Sequence, residues 1–258
     1  MAAAPDRVQE NGTVLPSLAL LGLVVGVLLW RAFTRERREL GRFKRLRSTI
    51  ARQKVYRRWV IEGVISLGGL SLATVLGAWP QIELLLTDAQ SWAPIAATRS
   101  FLAEPAGILV AVGAGVVVVA ALIVPVVALR NSVDEPPTIG DIRALLPRTR
   151  GEVPYGAALS LNAGVFEETL FRLGLPALVF AVTGDALIAF AGATLLFGLL
   201  HAYQGPIGVL ASTVLGAVFV ALYLVSGTIW VPIVLHAIID LRSMVLIPIV
   251  LGKALEKP

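Results

Sequence analysis

The sequence contains no cysteine and only two histidines, His201 and His236. Without thiols there is no disulfide framework, no thiolate nucleophile and no cysteine-ligated metal site. Charged residues are also scarce, at 15% of 258, while 57% are hydrophobic and the mean hydropathy is +0.82. Ordinary soluble domains carry more charge, so a soluble globule is excluded. The common hydrolytic signatures are missing too. There is no G-x-S-x-G elbow, no H-E-x-x-H zinc-protease helix and no glycine-rich phosphate loop. Neither internal repeats nor low-complexity tracts occur.

What the chain does have is long apolar runs. Stretches near Val14–Phe33, Trp59–Trp79 and Ala106–Leu129 each reach the ~20 residues a spanning helix needs. Past a polar connector at Asn131–Glu152, containing Asp134-Glu135-Pro136-Pro137, the remainder is almost wholly apolar to Leu251. Turn residues divide it at Thr183-Gly184-Asp185, Tyr203-Gln204-Gly205-Pro206 and Ser226-Gly227. The pattern predicts an all-α, polytopic transmembrane helical bundle of about seven to eight spans. The first run lacks a basic leader and an A-x-A-like cleavage site, and reads as an uncleaved anchor. Gly22 and Gly26 match the small-xxx-small pattern of packed membrane helices.

Residues 31–58 hold twelve of the 22 Lys and Arg residues against two acids, Glu36 and Glu39. Such a loop stays on the cytoplasmic side. The chain is therefore expected to be an integral membrane protein with its N-terminus outside and the Lys253–Pro258 tail in the cytoplasm. Trp30, Trp59, Trp79 and Trp230 fall at expected span ends, as an interfacial belt would place them. Leu40, Phe43, Leu46 and Ile50 recur at helical spacing among the basic residues, which suits a helix on anionic lipid headgroups. A nucleic-acid-binding arm would share the charge, but a topology signal accounts for it, and no nucleic-acid partner is expected. The chain divides near residue 150, into an N-terminal membrane region (1–150) and a second region (151–258).

All the chemistry lies in the second region: Glu167, Glu168, Arg172, His201, His236 and Asp240, among segments where each charge is expensive and seldom idle. Glu168 and Arg172 are four residues apart, as are His236 and Asp240, so each pair shares a helix face. Adjacent glutamates point about 100° apart. Glu168 is thus expected to pair with Arg172, leaving Glu167 as a general base; alternatively all three form one buried ionic cluster. Two neutral imidazoles with a carboxylate can orient water, stabilise an oxyanion or bind zinc as His₂Glu. A helix from Tyr155 to Thr183 would exceed the hydrocarbon thickness, so a break is expected around Gly174-Leu-Pro176. His201 counts near the inner boundary and His236 near the outer one. The conflict is resolved if the Tyr203–Pro206 turn is buried in a cavity.

The motifs Glu-Glu-x-x-x-Arg (167–172), Phe-x-x-x-His (197–201) and His-x-x-x-Asp (236–240), in that order on late membrane helices, resemble the CPBP family. This is the type II CAAX prenyl endopeptidase and bacteriocin-processing group of intramembrane proteases. The resemblance covers about residues 150–250. It implies an intramembrane endopeptidase acting on a membrane-associated protein or peptide, with Glu167 activating water and His201 assisting. Glu168 and Arg172 would be the supporting ion pair, and His236 and Asp240 the oxyanion pair. The prenyl-processing branch usually has Asn where this chain has Asp240. Bacterial-type members carry the Asp, which implies a bacterial plasma membrane. The resemblance implies no cofactor, and the donor set leaves a divalent metal such as zinc open. Two other readings stay open: a non-catalytic membrane scaffold or chaperone retaining the protease core, and an ion or proton carrier.

Overall fold

A computed structural model describes residues 7–128 and 143–251. The connector residues 131–142, with Asp134–Pro137, and the Lys253–Pro258 tail lie outside the described residues. Among those described, the regular structure is helical and contains no strand. Five stretches are long and apolar enough to cross a membrane: Val14–Phe43, Thr49–Gly77, Pro105–Ala128, Ala186–Ser226 and Trp230–Val250. The 41-residue stretch Ala186–Ser226 is in fact a hairpin of α10 (Ala186–Leu200) and α11 (Gly205–Ser226), which pack along each other. They turn at a 3₁₀ segment, His201–Gln204, and at Gly205 (φ +83°), with Pro206 opening α11. Positive φ is cheap only for glycine, which is why the turn falls there. Before this hairpin, α8 (Val153–Glu168), a π turn (Thr169–Gly174) and α9 (Leu175–Thr183) form one unbroken helical run.

The expected break at Gly174–Pro176 is therefore a π turn in a continuous helix. Pro176 has no N–H to offer the Arg172 carbonyl. The helix widens one residue early instead, and the Leu175 N–H bonds the Leu170 carbonyl five residues back. The connections after α9 and α11 behave as read from sequence. Gly184 (φ +66°) and Gly227 (φ +70°) end α9 and α11 in the left-handed conformation, and the Asp185 carboxylate caps α10 through the Ile188 N–H at 2.9 Å.

The first region wraps the second. Helices α1 (Arg7–Trp30) and α2 (Arg37–Phe43) are joined by a π turn, Arg31–Glu36. A short turn then leads to α3 (Thr49–Glu62), a π turn (Gly63–Leu67) and α4 (Gly68–Gly77). Two shorter helices, α5 (Trp79–Gln90) and α6 (Ala93–Ala103), close the opposite end. There Gln90 and Arg99 donate to the helix-terminal carbonyls of Leu224 and Val225 at the end of α11 (3.0–3.1 Å). Helix α7 (Pro105–Ala128) stands at the periphery, tied down by Arg242 Nε donating to the Leu122 carbonyl at 2.7 Å.

One core packs Val24 and Leu28 of α1 against Leu170, Phe171, Leu175, Ala193 and Phe197. A second gathers Leu85, Leu178, Phe190, Tyr223 and Leu224 at the α5 end. Helix α8 runs centrally, against α3 on one side and α12 (Trp230–Leu241) on the other. At Gly164 a Cβ would already meet Ala237 Cβ and the Ile233 carbonyl at 3.0 Å, so only glycine lets α8 and α12 approach this closely.

Several expectations for residues 31–58 change. The segment is a helical hairpin tip, not a surface helix. Leu40 and Phe43 are buried, Phe43 among Tyr56, Trp59 and the Arg52 guanidinium (4.2 Å above its ring), while Ile50 is exposed. Ring-on-cation packing inside the protein outweighs lipid contact there. Trp30, Trp79 and Trp230 are exposed, whereas Trp59 faces inward and donates to Glu39 at 2.8 Å. No side chain lies near Gly22 or Gly26, so their spacing serves no packing contact among the described residues.

Candidate active site

The six residues form two connected layers. Glu168 and Arg172 sit on α8 and its π turn, both wholly buried. Arg172 Nε lies 3.1 Å from Glu168 Oε2 without pointing along it, and Arg172 Nη2 donates to Oε1 at 3.3 Å. The guanidinium lies over the rings of Phe197 (4.7 Å) and Phe219 (5.6 Å), which replace the water it gives up. Glu168 has a second partner not visible in sequence. His236 Nδ1 donates to Glu168 Oε1 at 2.7 Å, across 68 residues of chain. The His236 ring stacks on Phe219 at 5.2 Å and meets Phe197 edge-on at 6.3 Å. Its other nitrogen, Nε2, is 3.8 Å from Asp240 Oδ2, an ionic contact longer than a hydrogen bond. Arg172, Glu168, His236 and Asp240 thus form one chain of charges with its inner three members sealed in protein.

The second layer faces open space. Glu167, one residue earlier, makes no ion pair or hydrogen bond among the described residues and lines a cavity of about 270 Å³ together with His201 and Tyr203. His201 Nδ1 is 2.8 Å from the Phe197 carbonyl. A carbonyl can only accept, so Nδ1 carries the hydrogen and Nε2 is the free nitrogen. Its ring packs 4.7 Å from Phe197 and stacks on Tyr203 at 5.9 Å. With 15 residues, α10 is about 22 Å long. It falls short of a ~30 Å hydrocarbon core, so the His201–Gln204 turn ends inside the bundle. The partly buried turn packs on the Arg31–Glu36 π turn, as the conflict over His201 and His236 required. Phe197 bridges the two histidines.

The structure thus brings Glu167 and His201 to one cavity and sets Glu168, Arg172 and His236 behind it. Asp240, with a side chain 37% exposed, is not in the cavity wall but stays within electrostatic range of Glu167, His201 and His236.

The rest of the wall comes from the first region, where sequence reasoning found no reactive signal. Arg31, Arg35, Glu36 and Glu39 enter from the end of the first span, and Trp59, Glu62 and Gly63 from the second. Arg35 bridges Glu39 (3.0 Å) and Glu62 (2.5 Å), and Arg58 also reaches Glu39 at 3.1 Å. Asn162, also in the wall, donates to the Val60 carbonyl at 3.0 Å. A wholly buried ion pair, Arg52–Glu152, holds this frame in place. Arg52 Nε contacts both carboxylate oxygens (3.0 and 3.1 Å), and its Nη2 donates to Tyr56 Oη and the Leu146 carbonyl. The available signal was four acids among the basic residues of 31–62 and at 152, but a charge run reads first as a solvated face. Among the described residues, no three His, Asp or Glu side chains are placed to hold a metal ion.

A family model described as Type II CAAX prenyl endopeptidase Rce1-like matches residues 149–242. That segment contains all six residues and the helices that carry them. No curated protein and no solved structure gives a significant match to the chain.

Proposed function

We propose that this chain, which carries a CPBP-family domain of the CAAX prenyl endopeptidase type over residues 149–242, is an intramembrane endopeptidase that cleaves a membrane-associated protein or peptide with glutamate-activated water. The observation that carries the proposal is the division of labour between adjacent carboxylates. Glu168 is consumed by Arg172 and His236, whereas Glu167 faces the cavity beside His201 with its acceptor sites open.

In this reading Glu167 accepts a proton from a water held between it and His201 Nε2, and the resulting hydroxide attacks the scissile carbonyl. The tetrahedral oxyanion is met by donors from the His236–Asp240 side. His236 Nδ1–H is committed to Glu168, so the donor to offer is an N–H on Nε2 or a protonated Asp240 carboxyl, 3.8 Å apart. Protonated Glu167 then returns its proton to the leaving amine, which balances the hydrolysis. The basic residues of 31–58 support, through the positive-inside rule, a cavity toward the cytoplasmic side, an N-terminus outside and anionic lipids around the hairpin.

The test is cleavage of a membrane-anchored peptide reporter in proteoliposomes, read by mass spectrometry. The parent is expected to release one defined product pair, and His201→Ala and Glu167→Ala to release none. Product from the Glu167→Ala protein at the parent rate would refute the proposal.

A further inference from the structure

Much of the cavity wall is made by residues outside the matched family segment, and its charges are unequally satisfied. Four carboxylates line the cavity (Glu36, Glu39, Glu62 and Glu167), against two guanidiniums, Arg31 and Arg35. Three hydrogen-bonding or ionic partners saturate Glu39: Arg35, Arg58 and the Trp59 indole. Glu62 is held by Arg35 at 2.5 Å with Arg58 at 3.8 Å. Glu36 differs. Its one ion pair, with Arg31 Nη2, is 3.7 Å long, and Arg31 Nη1 is already given to the Ser66 hydroxyl. Besides Glu167, Glu36 is thus the wall carboxylate without a hydrogen bond among the described residues. Its side chain is 40% exposed and within electrostatic range of both Glu167 and His201.

Its placement is not that of a solvated surface acid. Glu36 closes the Arg31–Glu36 π turn, which packs directly on the His201–Gln204 turn. Single π turns inside α-helices concentrate at functional sites because they re-aim side chains at a cost in helix geometry. The rest of the cavity is lined largely by Leu28, Leu67, Leu159, Phe171 and Leu200. A chamber whose wall joins these apolar side chains to ion-paired ones, with one under-paired carboxylate beside the reacting pair, fits a peptide segment that is apolar except for one cationic side chain.

We propose that Glu36 is a specificity-determining residue that accepts a lysine or arginine side chain of the peptide adjacent to the scissile bond. Arg31 is the counter-cation it exchanges for that side chain. The inference rests on the proteolytic reading above, and the experiment separates the two.

Glu167→Gln protein, which binds without turnover, is purified in detergent and titrated with three fluorescein-labelled apolar peptides that differ only in one central residue: Lys, Gln or Glu. The Lys peptide is expected to bind at least tenfold tighter than the Glu peptide. Adding Glu36→Gln should bring that ratio near one, and Glu36→Lys should invert it. Arg31→Gln should raise the ratio, an opposite change that misfolding does not mimic. An equal ratio with and without Glu36, or no effect of Arg31→Gln, would overturn the assignment. If the parent cleaves the peptides but its Lys/Glu ratio of kcat/KM is unchanged by Glu36→Gln, the subsite falls and the protease reading stands. If binding depends on Glu36 but the parent cleaves none of the peptides, the protease reading falls and the subsite stands.

Discussion

Asp240 is the residue whose chemistry the geometry sharpens most. An ionised carboxylate cannot donate to an oxyanion, yet Asp240 sits 3.8 Å from His236 Nε2, and the other face of that imidazole is fixed to Glu168 at 2.7 Å. His236 therefore lies between two carboxylates, and what it offers the substrate depends on a proton held on the Asp240 side. An amide at 240 would supply N–H donors without needing that proton. Asp240→Asn is accordingly expected to keep at least a tenth of the parent kcat/KM, and Asp240→Leu to lose about a hundredfold, the scale of one oxyanion donor. Both are measured as reporter cleavage in proteoliposomes; equal loss in the two variants would rule out a donor role. The separate fates of Glu167 and Glu168 were legible from their adjacency, as was the Glu168–Arg172 pair. The Glu168–His236 bond was not, because periodicity reports neighbours on one helix and says nothing about which helices meet 68 residues apart.

Helix positions and turns were readable where glycine, proline and caps punctuate the apolar pattern, as at Gly184–Asp185, Gly205–Pro206 and Gly227. The π turns were not, since they keep the helix going and leave no compositional mark. The inward turn of Leu40 and Phe43 was likewise hidden, because an amphipathic stripe fits a lipid surface and a protein core equally well. The frame that these elements make depends on Arg52 and Glu152, both fully buried and satisfied by Tyr56 and the carbonyls of Ala144 and Leu146. Breaking such a pair strands a charge in a medium that cannot solvate it, at about 3–5 kcal/mol. Arg52→Ala should therefore lower the thermal midpoint of the purified protein markedly, and Arg52→Met with Glu152→Leu should restore part of it. If both single variants melt like the parent, the pair does not hold the frame.

At the scale of the whole molecule, the turns fall into two sets. One end holds the hairpin tip at 44–48, the Arg52–Glu152 pair and the start of α8; the other holds α5, α6 and the ends of α9 and α11. The positive-inside rule predicts that the first set lies in the cytoplasm. Because the chain has no cysteine, single substitutions give a clean readout. Ser48→Cys is expected to react with a membrane-impermeant maleimide only after cells are opened, and Ser91→Cys in intact cells. The reverse pattern would invert the topology and put the cavity on the outer side.

The two regions share one cavity, with Glu167 and His201 on the second and much of the polar wall on the first. We propose that Glu167 performs the chemistry while Glu168 holds His236 and Arg172. This proposal is tested most directly by single-turnover cleavage of a quenched-fluorescence membrane peptide by purified Glu167→Gln protein. The predicted result is a rate at least a thousandfold below the parent in a protein that elutes and melts as the parent does, on the order of the loss of an activating general base. A Glu167→Gln protein that cleaves at the parent rate would contradict the account.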